Sequence, residues 1–208
     1  MMEPQLLLVF FSTSVLLALA PGPDNLFVLA QSVQNGRNAG LFVTLGLCSG
    51  LLVHTAAVAL GLAAVVRTSA IAFVILKFMG AAYLLYLAWQ AFRAGSASSG
   101  EAKVAVLSRG GLYRRGIVMN ISNPKVSLFF LAFLPQFADS ARGPLVMQFF
   151  LLGGVFMLAT VLVFVFISML AGGLGEKFRD SVFARKMVNR TAGAVFVSLA
   201  LRLALSER

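Results

Sequence analysis

LVMQFFLLGGVFMLATVLVFVFISMLA, residues 145–171, is an apolar stretch without a charged side chain. A helix of roughly 20 apolar residues crosses a hydrocarbon core about 30 Å thick, so this stretch is long enough to span a bilayer. It must cross as a helix, because lipid offers no hydrogen-bond partner to the edge of an open sheet. The stretch therefore predicts an all-α, transmembrane protein.

The composition of the whole chain supports this class. Of 208 residues, 60% are hydrophobic and 12% are charged, whereas a soluble domain keeps roughly a quarter of its residues charged. The net charge of +10 does not indicate nucleic-acid binding, because the basic residues fall between apolar stretches and form no basic face interleaved with aromatics. The predicted partner is the lipid bilayer, with no nucleic acid.

Six apolar stretches, separated by charges and turn residues, predict a transmembrane helical bundle of about six spans. Each is near or above the length that crosses the hydrocarbon core. The predicted spans are residues 5–32, 39–66, 69–92, 116–137, 145–171 and 191–206. The last is short and contains Arg202, which leaves a five-span alternative open.

Lysine and arginine are distributed unequally between the two sides of the membrane. The first, third and fifth predicted loops hold eleven of them, and the opposite side holds four. Because cytoplasmic loops carry an excess of positive charge, the loops at 93–115 and 172–190 are predicted to be cytoplasmic, with both termini outside. Five spans would move the C-terminus to the other side.

Proline-containing breaks interrupt the first and fourth predicted spans. LFVLA at residues 26–30 follows the first break, PGPDN, and LFFLA at residues 128–132 follows the second, NPK. Inverted repeats with helices broken at corresponding positions are typical of transporters, and the breaks mark the binding site. Proline frees backbone carbonyls, and the helix after each break directs its positive dipole end at the site. For either break alone, a simple proline kink is the alternative.

A second pair of similar segments, residues 77–83 and 190–196, occurs in the same order in the two halves. The chain is therefore predicted to contain two inverted three-helix repeats with broken first and fourth helices. The first repeat is residues 1–92 and the second is residues 116–208. A basic cytoplasmic linker at 93–115 joins them, and together they form one membrane domain.

Asp24 and Lys125 are the ionisable residues beside the two breaks. A charge at the bilayer centre costs at least about 2.5–3.5 kcal/mol on insertion scales, so each should face the protein interior and have a partner. One interpretation is a structural ion pair that joins the halves. The other assigns Asp24 to a substrate ammonium and Lys125 to a carboxylate.

Neutral polar residues lie at the same depth. His54, the one histidine, suits a proton relay with Asp24, because imidazole titrates near neutral pH. A structural hydrogen bond between helices explains this histidine equally well. The predicted substrate-binding residues are Pro21, Gly22, Pro23, Asp24, Asn25, Asn120, Asn123, Pro124 and Lys125.

Signatures of an enzyme are missing from the sequence. It contains no phosphate-binding loop and no cluster of histidine, cysteine and carboxylate that would bind a metal. Cys48 is the one cysteine, which excludes a disulfide within the chain. The sequence therefore predicts neither an enzyme nor a cofactor.

Several segments resemble one known family. They are APGPDN at residues 20–25, the glycine-containing turn at 36–41, residues 46–54, residues 77–84, and residues 120–137 with the NPK and LPQF motifs. These are similar to the LysE/RhtB family of bacterial inner-membrane amino-acid exporters. The resemblance covers about residues 4–140, and the last third of the chain matches in hydropathy and size alone.

The resemblance implies secondary-active efflux of amino acids or close derivatives across the bacterial inner membrane. It implies coupling to the proton-motive force, and the broken helices suggest alternating access around a fixed site. The substrate within this class, the coupling stoichiometry and the formation of a homo-oligomer stay open. A metal-cation exporter and a passive channel of similar topology are the alternatives, and clustered soft ligands or a cysteine pair would favour the first.

The predicted orientation is tested by labelling cysteines placed at Ser98 or Ser99 in a Cys48→Ala background. We expect an impermeant thiol reagent to react with either variant from the cytoplasmic side of the membrane, because the basic 93–115 segment stays on that side. Labelling from the periplasmic side of intact cells would contradict the orientation.

Overall fold

The computed structural model describes residues 2–20, 22–62, 70–93, 107–171 and 182–205. Within these ranges every regular element is helical, so the predicted all-α fold is confirmed. Pro21, most of the 93–115 linker and the first part of the 172–190 loop lie outside the described residues.

Eight α-helices form the described part of the chain. They are α1 Pro4–Leu19, α2 Pro23–Asn35, α3 Arg37–Ala57, α4 Ala70–Arg93, α5 Arg109–Ile121, α6 Pro124–Leu128, α7 Leu145–Leu170 and α8 Val182–Leu205. Two helices continue as π-helical turns, α3 through Val58–Leu62 and α6 through Phe129–Phe133. A 3-10 turn at Leu134–Phe137 completes the α6 segment.

Both predicted helix breaks are present. Among the described residues, α7 and the α3 segment Arg37–Gly61 are each long and apolar enough to cross a membrane. Two further helix pairs qualify when each is taken as one broken span: α1 with α2, bent by 61°, and α5 with the α6 segment, bent by 48°. Proline stands at the first turn of both α2 and α6, where its missing N–H and fixed φ are tolerated.

Two helices begin earlier than hydropathy predicts. α5 starts at Arg109, inside the predicted linker, because Ser108 caps it: the Ser108 hydroxyl accepts a hydrogen bond from the N–H of Gly111 at 3.2 Å. α8 starts at Val182, inside the predicted 172–190 loop. Hydropathy locates the part of a helix that lies in hydrocarbon, and it misses charged turns that continue the helix beyond it.

Three helix pairs each join a helix of the first half to a helix of the second half. α3 packs against α5, α7 packs against α1, and α4 packs against α8. The α3–α5 contact is close enough that a Cβ on Gly116 would overlap the carbonyl oxygen of Val43, a use of small residues common between membrane helices. Reciprocal pairing is what two related halves would produce, and the six-span inverted repeat stays a prediction.

Six buried phenylalanines form the largest aromatic group of the core. The closest rings are those of Phe10 and Phe137, and those of Phe129 and Phe133, with centroids 4.9 Å apart in each pair. This phenylalanine cluster consists of Phe10, Phe129, Phe130, Phe133, Phe137 and Phe156. It joins α1 and α7 to the α6 segment.

Candidate functional site at the two helix breaks

Lys125 connects the two breaks. Its ammonium donates hydrogen bonds to the carbonyl oxygens of Leu17 at 3.2 Å and Ala20 at 2.9 Å. The Leu17 carbonyl would normally accept from the N–H of residue 21, and proline has none. The side chain of Lys125 is 7% exposed, so the lysine satisfies carbonyls that the first break leaves open.

Asp24 lies in the first turn of α2 and is 3% exposed. The positive end of the helix dipole favours a carboxylate at this position. The amide of Asn120, on α5, donates to Asp24 Oδ2 at 3.2 Å. The Asn123 side chain also interacts with this carboxylate, although Asp24 Oδ1 makes no hydrogen bond of regular geometry within the described residues.

The predicted asparagines and the histidine hold the backbone near the breaks. Asn25 donates to the carbonyl oxygen of Ala18, and Asn123 caps α6 by accepting from the N–H of Lys125 at 3.0 Å. His54 Nε2 lies 3.1 Å from the backbone carbonyl oxygen of Asn120. Because a carbonyl accepts, this nitrogen is the donor. His54 therefore contacts the backbone of Asn120, and the side chain of Asn120 contacts Asp24.

The direct ion pair between Asp24 and Lys125 is not made in this structure. Both residues are described, and no contact of 4.0 Å or less joins the carboxylate to the ammonium. The salt bridges found in the described ranges are those of Arg142 with Glu3 and Asp139. Each charge near the breaks is instead held by neutral dipoles, which are the carbonyls for the lysine and the Asn120 amide for the aspartate.

A cavity of about 20 Å³ lies between the two breaks. Its polar lining comes from Asp24, Asn25, Asn120, Lys125 and Thr160, and apolar side chains including Phe156 and Phe164 complete the wall. A volume of this size holds about one water molecule and is too small for an amino acid. The structure is thus a closed conformation with the candidate site at its centre.

Several polar atoms around this cavity are unpaired. Asp24 Oδ1, Asn25 Oδ1, Asn120 Oδ1 and the Thr160 hydroxyl are buried without a hydrogen-bond partner in the part of the chain that the structure describes. An unpaired buried polar group costs about 1–3 kcal/mol. The residues that carry these atoms all line one small cavity, so polar groups without partners concentrate at the two breaks in this conformation.

The other predicted site residues shape the backbone. Pro23 and Pro124 each open a helix. Gly22 lies beside the lysine, where an added Cβ would come within 3.0 Å of Lys125 Nζ. Pro21 lies outside the described residues.

Thr160 was not predicted from the sequence. A signal was available, because this hydroxyl stands within the long apolar stretch of α7 and lines the same cavity as Asp24. Threonine is common in apolar helices, where its hydroxyl returns to the backbone. Its position in the sequence alone therefore could not show whether Thr160 lines a cavity or bonds only its own helix.

The sequence is similar to those of several known proteins. The profile of the family described as "LysE type translocator" matches residues 15–207. A protein of Vibrio cholerae named "Uncharacterized membrane protein" is 31% identical over 99% of this chain and 100% of its own length. A Salmonella typhi protein named "Homoserine/homoserine lactone efflux protein" is 32% identical over 94% of both chains. No solved structure matches.

Removal of each charge tests the account of the breaks. Lys125→Met leaves the Leu17 and Ala20 carbonyls unpaired, so we expect a loss of roughly 1–3 kcal/mol per unpaired group in the free energy of unfolding. Asp24→Asn keeps an acceptor for Asn120 and should change stability little. The measurement is unfolding of the purified variants in detergent.

The double variant distinguishes dipole contacts from a direct pair. We expect Asp24→Asn with Lys125→Met to be more stable than Lys125→Met alone, because no buried carboxylate is left without its nearby positive charge, but less stable than the wild type, because the Leu17 and Ala20 carbonyls stay unpaired. Recovery of the wild-type stability in the double variant would indicate a broken ion pair, which costs about 3–5 kcal/mol when one partner is removed.

Proposed function

Because the chain belongs to the LysE type translocator family, we propose that it is a secondary-active exporter of amino acids or close derivatives across the bacterial inner membrane. The observation that carries this proposal is the set of unpaired polar atoms at the junction of the two broken helices. The printed name of the Salmonella relative, a homoserine and homoserine lactone efflux protein, makes these two compounds the first substrates to test.

A substrate ammonium fits the acceptor side of the cavity. An ammonium has three N–H donors, and Asp24 Oδ1 and Asn25 Oδ1 make no hydrogen bond of regular geometry among the described residues, whereas Asn120 Oδ1 packs against Gly50. The negative charge of Asp24 makes its contact a charge-assisted hydrogen bond, which is about twice as strong as a neutral one. Asp24 is therefore the anchor for the group that all amino acids share.

A substrate carboxylate fits the donor side. The Lys125 ammonium has three donors and uses two on the carbonyls of Leu17 and Ala20. The Asn123 side-chain amide lies at the start of α6 and interacts with Asp24, and it would become available to the substrate when Asp24 takes the substrate ammonium. One lysine proton, this amide and the positive end of α6 together supply the donors that a carboxylate accepts.

The exporter must open to admit its substrate, because the cavity of about 20 Å³ holds little more than one water molecule. Transport by alternating access would separate the halves on one side of the breaks at a time. Lys125 crosses from the second break to the first, so a substrate carboxylate that draws its ammonium away would weaken this contact between the halves. Binding and opening would then be coupled through one side chain.

Coupling to the proton-motive force would use Asp24. A carboxylate that binds an ammonium in one state can bind a proton in another, so substrate and proton would alternate at this residue. The contacts of His54 with the Asn120 backbone and of the Asn120 amide with Asp24 would position the carboxylate, and water admitted when the site opens would carry the proton between His54 and Asp24. An uncoupler that collapses the proton gradient should therefore stop efflux.

Homoserine and its lactone test the two halves of the site separately. Both compounds carry the ammonium, and only homoserine has a free carboxylate. We expect Asp24→Asn to reduce export of both compounds, and Lys125→Met to reduce export of homoserine far more than that of the lactone. Loss of a charge-assisted hydrogen bond of about 1.5–3 kcal/mol corresponds to roughly a 10- to 100-fold loss of binding.

The assay is efflux from loaded proteoliposomes, normalised to folded protein. Lys77→Met is the matched control, because Lys77 on α4 bonds the carbonyl of Ala204 at 3.3 Å, and it does not line the cavity. Equal loss of both compounds in Lys125→Met would contradict carboxylate recognition by the lysine. Normal export by Asp24→Asn would remove the aspartate from the site.

A further inference from the structure

A second group of buried polar side chains lies apart from the cavity. Gln31 and Ser32 on α2 and Ser168 on α7 are each at most 1% exposed. Gln31 Nε2 and the Ser168 hydroxyl have no hydrogen-bond partner among the residues that the structure describes. Ser32 and Ser168 both face Gly40 on α3, where an added Cβ would overlap the Ser32 hydroxyl and lie 2.5 Å from that of Ser168.

The spacing along the helices places this group on one line with the cavity. Gln31 follows Asp24 by seven residues, and Ser32 follows Asn25 by seven, so each pair shares a face of α2 about 10 Å apart. On α7, Ser168 follows Thr160 by two turns in the same direction. The second group therefore lies about two helical turns from the site, toward the end of α2 that precedes Arg37.

An apolar layer separates the two polar groups. Val28 and Phe164, which are 0% and 3% exposed, belong to a small apolar cluster with Val43 and Leu47 of α3. Phe164 also lines the cavity, and in sequence it stands midway between Thr160 and Ser168. On the opposite side of the cavity lies the thicker phenylalanine cluster, of which Phe156 is a member.

Helix packing alone does not account for these polar residues. The Ser32 hydroxyl donates to the Val28 carbonyl at 2.7 Å, and Gln31 Oε1 accepts from Asn35 at 2.7 Å, both within α2. Serine and glutamine stabilise membrane helices when they bond across an interface, but Gln31 Nε2 and Ser168 Oγ bond nothing within the described ranges. An unpaired buried polar group is destabilising by about 1–3 kcal/mol. A group retained at this cost in lipid faces a route or a site, as intramembrane polar residues generally do.

We propose that Gln31, Ser32 and Ser168 line the route by which an exported amino acid reaches the cavity from the cytoplasmic side, and that Phe164 is the gate on this route. The inference rests on the proposed function and on the orientation that places Arg37 in the cytoplasm. Amide and hydroxyl groups bond either end of a zwitterion without the strong attraction of a charge. These groups can therefore replace the water around a substrate without binding it so strongly that it cannot proceed to the cavity.

Thiol accessibility tests the gate without any measurement of transport. Ser168→Cys and Thr160→Cys are made in a Cys48→Ala background and exposed to a small impermeant methanethiosulfonate in inside-out vesicles. Position 168 is buried in this conformation, so we expect its thiol to react as the cytoplasmic end opens, and the thiol at 160, behind the Phe164 layer, to react more slowly. Adding Phe164→Ala should accelerate reaction at 160 by about tenfold, because the closed layer then opens more often, and should leave reaction at 168 unchanged.

Phe166→Ala is the matched control, since Phe166 stands on the same helix and is 59% exposed on its outer face. Phe164→Leu keeps most of the buried volume and should give an intermediate acceleration if the alanine variant folds poorly. A thiol at 168 that does not react from this side would overturn the route. Equal effects of the Phe164 and Phe166 variants on the thiol at 160 would overturn the gate.

A transport measurement separates a substrate route from a path for water. Ser168→Leu replaces the Ser168 hydroxyl with a larger apolar side chain. We expect it to reduce the initial rate of homoserine efflux at least fivefold, whereas Phe166→Leu should not. Unchanged efflux in Ser168→Leu would contradict a substrate route. If the protein exports neither test compound nor any other amino acid, the proposed function fails, while the labelling result still decides on the gate.

Discussion

The hydrogen bonds from Lys125 to the carbonyls of Leu17 and Ala20 hold the two broken spans together. Proline breaks leave backbone carbonyls open in a region where lipid cannot satisfy them. A lysine from the opposite break satisfies them, and the charge of that lysine is stabilised by the same carbonyl dipoles. The first break thus supplies carbonyls to the lysine and the second supplies a donor to the carbonyls, and the cavity lies at this junction.

Separation of the two buried charges preserves the binding capacity of the site. A direct Asp24–Lys125 pair would satisfy both side chains, and a zwitterion would then have to displace one from the other. Because Asp24 is bonded to Asn120 and Lys125 to backbone carbonyls, each keeps hydrogen-bonding capacity toward the cavity. The desolvation of each charge is offset by neutral dipoles, which are arranged before a ligand arrives.

The sequence predicted the features that depend on local chemistry, and it missed those that depend on packing. Proline has the same effect on any helix, so both breaks could be placed, and Asp24, Asn120 and Lys125 were correctly expected beside them. The hydrogen-bond partners of Lys125 could not be predicted, because they are backbone carbonyls and the residue types alone do not show which carbonyls a side chain will reach. The start of α5 depends on capping by Ser108, and the role of Thr160 depends on which face of α7 meets α2.

The most direct test of the account is the distance between a bound amino acid and Asp24. Rotational-echo solid-state NMR can measure it with ¹⁵N-labelled homoserine and protein labelled at the ¹³Cγ of aspartate. The account expects a nitrogen-to-carbon distance of about 3.5–4 Å, as a hydrogen bond from ammonium to carboxylate requires, and loss of the signal in Asp24→Asn. Bound homoserine with no such coupling, or coupling that persists in the variant, would contradict it.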